Sequence, residues 1–256
     1  MDGDVCPLKE LVDVAKEVSH GRGNIQFVVD EAHSIGVIGQ DGAGLVCELD
    51  LQEEIAVVMH SFGKALGATG DAMINFGGSV IYSTSPSFPF VAAIKSGYAL
   101  LAGGHTRQAQ EKIQDLAAVF FESVTLHPLW PVVSKKGLLS VPLAHGWEDR
   151  AFLTHIITVS THQSYVYWLY FHLLYKSFSV FPIEYPVVPL GQGRLRVTLH
   201  ASNTEEQVKS LVGAIYAWVE EMLELGKGGT VKTASEAAKQ VYSWMAQEGL
   251  TGFGMP

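Results

Sequence analysis

Two short apolar runs, Ile25–Val29 and Ile55–Met59, constrain the fold of this chain more than any other feature. Each is apolar at most consecutive positions rather than at every second one, the pattern of a strand covered on both faces in a parallel sheet. Each stops at polar residues, Asp30 after the first and His60 and Ser61 after the second. A helix is predicted ahead of the first run, because Leu8, Leu11, Val12, Ala15 and Val18 recur at helical spacing. Pro7 suits its first turn, and Gly21 and Gly23 end it. Helix, strand, loop and strand in this order predict an α/β architecture. Sheets of this kind bind ligands beyond the carboxyl ends of their strands, so the residues following each run are the first candidates for a site.

Further along, Pro89–Leu101 and His105–Thr125 read as helices, Leu138–Leu143 as a strand, and Phe178–Val188 and Arg194–Leu199 as two more strands. Thr204 and Gln207 form a capping box ahead of a helix with Val208, Leu211, Val212, Ile215, Trp218 and Met222 on one face. Gly226, Gly228 and Gly229 read as a linker, followed by an amphipathic helix over about Ala234–Gln247. The pattern changes near residue 125 from an α/β half to an α+β half.

With 48% hydrophobic and 17% charged residues, the chain can bury a substantial core. A formal net charge of −9 argues against a nucleic-acid partner, which would require clustered Lys and Arg. The most apolar stretch, Tyr165–Phe181, contains His172 and Lys176 and is closed by Pro182. It is too short to span a bilayer, so no membrane partner is expected and it reads as a buried helix leading into a strand. The acidic start, Met-Asp-Gly-Asp, lacks the basic and apolar regions of a signal peptide. Cys6 and Cys47 have no metal-type spacing, so neither a metal site nor a disulfide framework is expected and a cytoplasmic setting fits.

The chemistry-bearing residues cluster at the two strand ends. Val28–His33 puts Asp30 and His33 just past the first run. An aspartate there can pair with a protonated ring nitrogen, and a histidine three residues on can face the same pocket. His60–Gly67, His-Ser-Phe-Gly-Lys-Ala-Leu-Gly, follows the second run. Lys64, in this glycine-rich loop, can approach a cofactor aldehyde closely, and the Ser61 hydroxyl can bond a phosphate. Asp-Glu-Ala-His also occurs in helicases, but that reading requires a phosphate-binding Gly-x-x-x-x-Gly-Lys-Ser/Thr loop, which the chain does not contain.

Five blocks carry a resemblance: Met1–Leu8, Asp30–Gly44, Ser61–Gly70, Ile81–Ser85 and Arg194–Ala201. In this order they resemble the α-oxoamine synthases, fold-type I enzymes dependent on pyridoxal 5'-phosphate (PLP), of the 8-amino-7-oxononanoate synthase type. The aromatic-rich Tyr165–Pro189 looks more like fungal relatives, some serving polyketide-type pathways rather than biotin formation. The resemblance implies that Asp30 pairs with the cofactor's ring nitrogen, His33 contacts its phenolic oxygen, Ser61 holds its phosphate, and Lys64 binds it covalently and then moves a proton at the substrate α-carbon. It also implies that Thr84 reaches the phosphate held by a neighbouring subunit, hence a homodimer, and that Arg196 clamps the amino-acid carboxylate. Read from the residues alone, Ser83 and Thr84 are equally turn residues before Pro86, and Arg194 or Arg196 is equally a surface residue of a strand.

The implied fold is part of a PLP-dependent transferase large domain over 1–125, a mainly parallel sheet with helices. A smaller α+β C-terminal domain over 126–225 and a linker with a terminal helix over 226–256 follow. The implied reaction condenses an L-amino acid with an acyl thioester to an α-oxoamine. Two alternatives are a class I/II aminotransferase using the same Asp and Lys, and a non-catalytic paralogue acting only as a subunit partner. The resemblance further implies an N-terminally truncated chain, starting where the family is already nearly half built, and for that reason a poor catalyst alone.

Overall fold

The computed structural model describes residues 2–20, 24–68, 71–73, 87–226 and 233–253, with the backbone alone for 71–73. The chain divides into two compact units, Val5–Lys112 and Met1–Asp4 with Ile113–Pro256.

The Val5–Lys112 unit opens with helix α1, Leu8–Val18, whose Leu8 and Val12 are buried one turn apart. Strand β1, Phe27–Asp30, runs parallel to β2, Ile55–Ser61, pairing Asp30 with Met59. A short antiparallel strand β3, Asp71–Met73, lies on the other side of β2. The two apolar runs are therefore parallel neighbours, as expected. Burial differs from expectation: β1 lies at the edge of the described sheet and Val28 is 67% exposed. Between β1 and β2 the chain forms a tight loop and the one-turn helix α2, Leu45–Glu48. Helix α3, Phe88–Ala102, follows the expected span.

The other unit is built on an antiparallel sheet ordered β4, β6, β5: Ile156–Val159, Arg194–Thr198 and Phe181–Ile183. Leu195 and Val197 of β6 join Ile157 and Val159 of β4 in the main core. Three helices close over them: α4 (Arg107–Thr125, whose second half lies in this unit), α6 (Val166–Tyr175) and α7 (Glu205–Leu225). A short helix α5, Trp130–Lys135, adds Trp130 and Val133. The start of the chain belongs here too. The Thr154 hydroxyl donates to the Gly3 carbonyl at 2.7 Å, Arg150 pairs with Asp4 at 3.0 Å, and Arg194 pairs with Asp2.

The capping box is present, with Thr204 accepting from the Gln207 backbone while the Gln207 side chain accepts from the Thr204 N–H. The terminal helix α8, Glu236–Gln247, packs on α6 through Ala238, Tyr242 and Met245 against Phe171. Trp168 Nε1 donates to the Tyr242 hydroxyl at 3.1 Å, and Glu221 accepts from the Glu236 N–H at 2.6 Å, capping α8. The expected strand over 138–143 is reduced to a single bridge, Ser140 with Ser160. Among the described residues no helix is long and apolar enough to cross a membrane.

Candidate functional site

The site candidates in the Val5–Lys112 unit follow from the parallel pairing of β1 and β2. Both strands end at the same edge of the sheet, so Asp30 and the turn after Ser61 come off adjoining strand ends. Asp30 is exposed, and its Oδ1 accepts the Ala32 N–H at 2.8 Å, which fixes the carboxylate against the turn that follows. His33 is exposed in that turn. Ser61 is buried as the last residue of β2. Lys64 stands exposed in the next turn, closed by the Gly67 N–H donating to the Lys64 carbonyl at 3.0 Å. Its Nζ donates to Ser61 Oγ at 3.1 Å. Thr84 lies outside the described residues. In the other unit, Arg196 is half-buried at the middle of β6, between Thr158 of β4 and Phe181 of β5. Arg194 is held by Asp2 and by the Gln192 carbonyl, so the two arginines stand in different surroundings.

Two residues without a role in the sequence reading organise this edge. Glu31, 1% exposed, takes the Leu45 N–H at 3.0 Å, the Val46 N–H at 2.6 Å and the Ser34 hydroxyl at 2.5 Å. It thereby ties the end of β1 to the first turn of α2, whose early N–H groups have no partner within the helix. Gly44 makes room for it: a Cβ there would lie 1.8 Å from Glu31 Oε2, and φ is +98°. The loop also braces the lysine turn, since a Cβ on Gly36 would lie 2.6 Å from Ala65 Cβ. His60 is the second such residue, with Nδ1 at 2.6 Å from the Tyr98 hydroxyl of α3. Strand alternation sends His60 and Ser61 to opposite faces, so α3 docks on the face away from Ser61. Burial depresses the His60 imidazole below its ordinary range, and the nearby Glu31 carboxylate opposes that shift. The histidine and tyrosine are 38 residues apart, a separation that no local pattern connects.

A carboxylate, a buried hydroxyl and an exposed amine thus stand at adjoining parallel strand ends, the place where α/β sheets take ligands. The chain belongs to the aminotransferase class I and II family, whose sequence profile matches residues 1–215. It is similar to the aminoacyl transferase sphA of Byssochlamys spectabilis, at 46% identity over 96% of this chain and 54% of that protein. It is also similar to the 8-amino-7-oxononanoate synthase of Emericella nidulans, at 35% identity over 87% of this chain and 53% of that one. The fold is that of the PLP-dependent transferases: a serine palmitoyltransferase from S. paucimobilis with a bound PLP–myriocin aldimine superposes with a TM-score of 0.64. That match, at 22% identity, covers 85% of this chain and 52% of the other. The chain thus spans about half the length of the curated relatives it matches.

Proposed function

We propose that this chain carries the cofactor-anchoring and substrate-carboxylate residues of a PLP-dependent acyltransferase that condenses an L-amino acid with an acyl thioester. The observation that carries this reading is the juxtaposition of Asp30 with the Ser61–Lys64 pair at adjoining parallel strand ends. The donor set fits PLP. An exposed carboxylate suits a protonated ring nitrogen, a hydroxyl suits a phosphate oxygen, and an exposed lysine suits an aldehyde. When bound, PLP supplies the aldehyde that takes the amino group and the ring that takes up the electron pair left at the α-carbon.

Asp30 keeps the ring nitrogen protonated, because a fixed anion beside it stabilises the cationic form. Ser61 holds a phosphate oxygen. Lys64 anchors the cofactor and then carries the α-proton away from the substrate. His33 contacts the phenolic oxygen. Arg196 holds the substrate carboxylate through its planar fork of donors. Thr84 reaches the phosphate bound by a second subunit, so the working form is a homodimer, in the cytoplasm. The compact unit Val5–Lys112 stands for the partial large domain, expected over 1–125, and the unit of Met1–Asp4 with Ile113–Pro256 for the small domain, expected over 126–225. The named activities of the relatives support the acyl-transfer reading over simple transamination.

Borohydride reduction of the protein incubated with PLP, followed by peptide mapping, is expected to place the pyridoxyl group on Lys64, and Lys64→Ala to abolish it. A label on another lysine removes Lys64 from this role. An alanine plus acyl-CoA assay run beside a keto-acid assay separates synthase from aminotransferase.

A further inference from the structure

The register of the antiparallel sheet sets Phe181 directly across from Arg196. Opposed residues of this kind share one face, with Cβ atoms about 4.5–5.5 Å apart. By the same alternation that face also carries Ile183 and Arg194, and Thr158 stands on the far side of Arg196. Most of it is covered: Thr158 is 1% exposed, Ile183 is 5% exposed, and Arg194 is engaged by Asp2. Phe181 is 61% exposed. The only aromatic ring in β5 therefore stays in water beside a half-buried arginine, while its strand-mate on the same face is buried. A side chain of this size gains free energy when something apolar covers it. The chain leaves β5 through Tyr185, Val187 and Leu190, all exposed, so the apolar surface continues outward from this point.

We propose that Phe181 is a specificity-determining residue: its ring is an apolar wall beside Arg196 that selects carboxylate ligands with an apolar α-substituent over isosteric polar ones. The proposal rests on the reading of Arg196 as the carboxylate-binding residue. A carboxylate held by a planar guanidinium has a restricted direction for its α-carbon. A ring one cross-strand spacing away then lies within contact range of what that carbon carries. An apolar substituent covers the ring, whereas a hydroxyl there gives up a water partner and finds an aromatic face instead.

The test compares L-2-aminobutyrate with L-serine, which match in shape and differ in a methyl against a hydroxyl group. Their affinities for the whole chain are measured by NMR titration, with Phe181→Ser, Phe181→Leu and Arg196→Lys beside the wild type. The wild type is expected to prefer 2-aminobutyrate about fourfold, the factor for covering one methyl group. Phe181→Ser is expected to bring the ratio to about one, and Phe181→Leu to keep most of it. Arg196→Lys is expected to weaken both ligands together with their ratio unchanged. A wild-type ratio of one, or an unchanged ratio in a folded Phe181→Ser variant, overturns the proposal and leaves the carboxylate reading standing. Unchanged affinities in Arg196→Lys, or no binding of either ligand to the wild type, overturn both.

Discussion

The buried carboxylate of Glu31 receives the backbone N–H groups of two buried residues, Leu45 and Val46, and the hydroxyl of Ser34. Glu31→Ala strands the N–H groups of Leu45 and Val46 at the start of a one-turn helix. The expected cost is about 2–3 kcal/mol, read as a lower urea midpoint at unchanged slope. Gly44→Ala is expected to destabilise by at least about 1 kcal/mol, because it needs a left-handed φ and drives a methyl into the same carboxylate. Combining the two variants removes that clash, so their costs are expected to sum to more than the double variant shows. The sequence made Asp30, Ser61 and Lys64 visible as strand-end residues, because apolar runs stop abruptly in front of them. It hid Glu31, because a glutamate beside an aspartate looks like a second exposed acid until Gly44 and the N–H groups after it are brought back in space. The His60–Tyr98 contact was hidden for the same reason, with both partners on separate elements.

Helices were more legible than strands. The capping box reports its own position, and Thr204→Ala is expected to cost about 1 kcal/mol in chemical unfolding. Strand β4 went unread because Ile156–Val159 is a short apolar run without a turn signal of its own, and such runs do not declare their pairing. Strand β5 is three residues rather than the expected eleven because Pro182, Pro186 and Pro189 remove ladder donors along Phe178–Val188 and just beyond it. The expected strand over 138–143 failed at Pro142, where a 3₁₀ turn begins. The terminal helix was legible in its spacing but not in its target. Its Tyr242 hydroxyl receives Trp168 Nε1 and donates to the Phe253 carbonyl at 3.2 Å, linking α6, α8 and the segment after it. Tyr242→Phe keeps the ring contacts and loses both bonds, so a loss of about 1–2 kcal/mol is expected, with amide exchange fastest in α8.

At the scale of the whole molecule, two histidines among the described residues push the response of stability to mild acid in the same direction. Burial lowers the pKa of His172, on α6, below its ordinary value of 6.5; Glu221 opposes that shift and Lys176 adds to it. His60 is lowered in the same direction in the other unit. With folded values below the unfolded one, the unfolded chain takes up these protons first as pH falls. Stability is therefore expected to be fully present above about pH 6.5 and to decline below it, before the carboxylate range is reached. Urea midpoints measured from pH 7.5 down to 5 check this. His172→Gln is expected to flatten the slope, and an unchanged slope would falsify the assignment to His172. The anchoring of Asp2, Gly3 and Asp4 has a consequence of another kind. Residues 5–112 leave one compact body and return to it, so that stretch is a closed ring even when it is unfolded. Closing a ring trims the disorder of the open state by an amount that grows only with the logarithm of its length. A single proteolytic nick inside the ring turns it into two dangling tails and gives all of that disorder back.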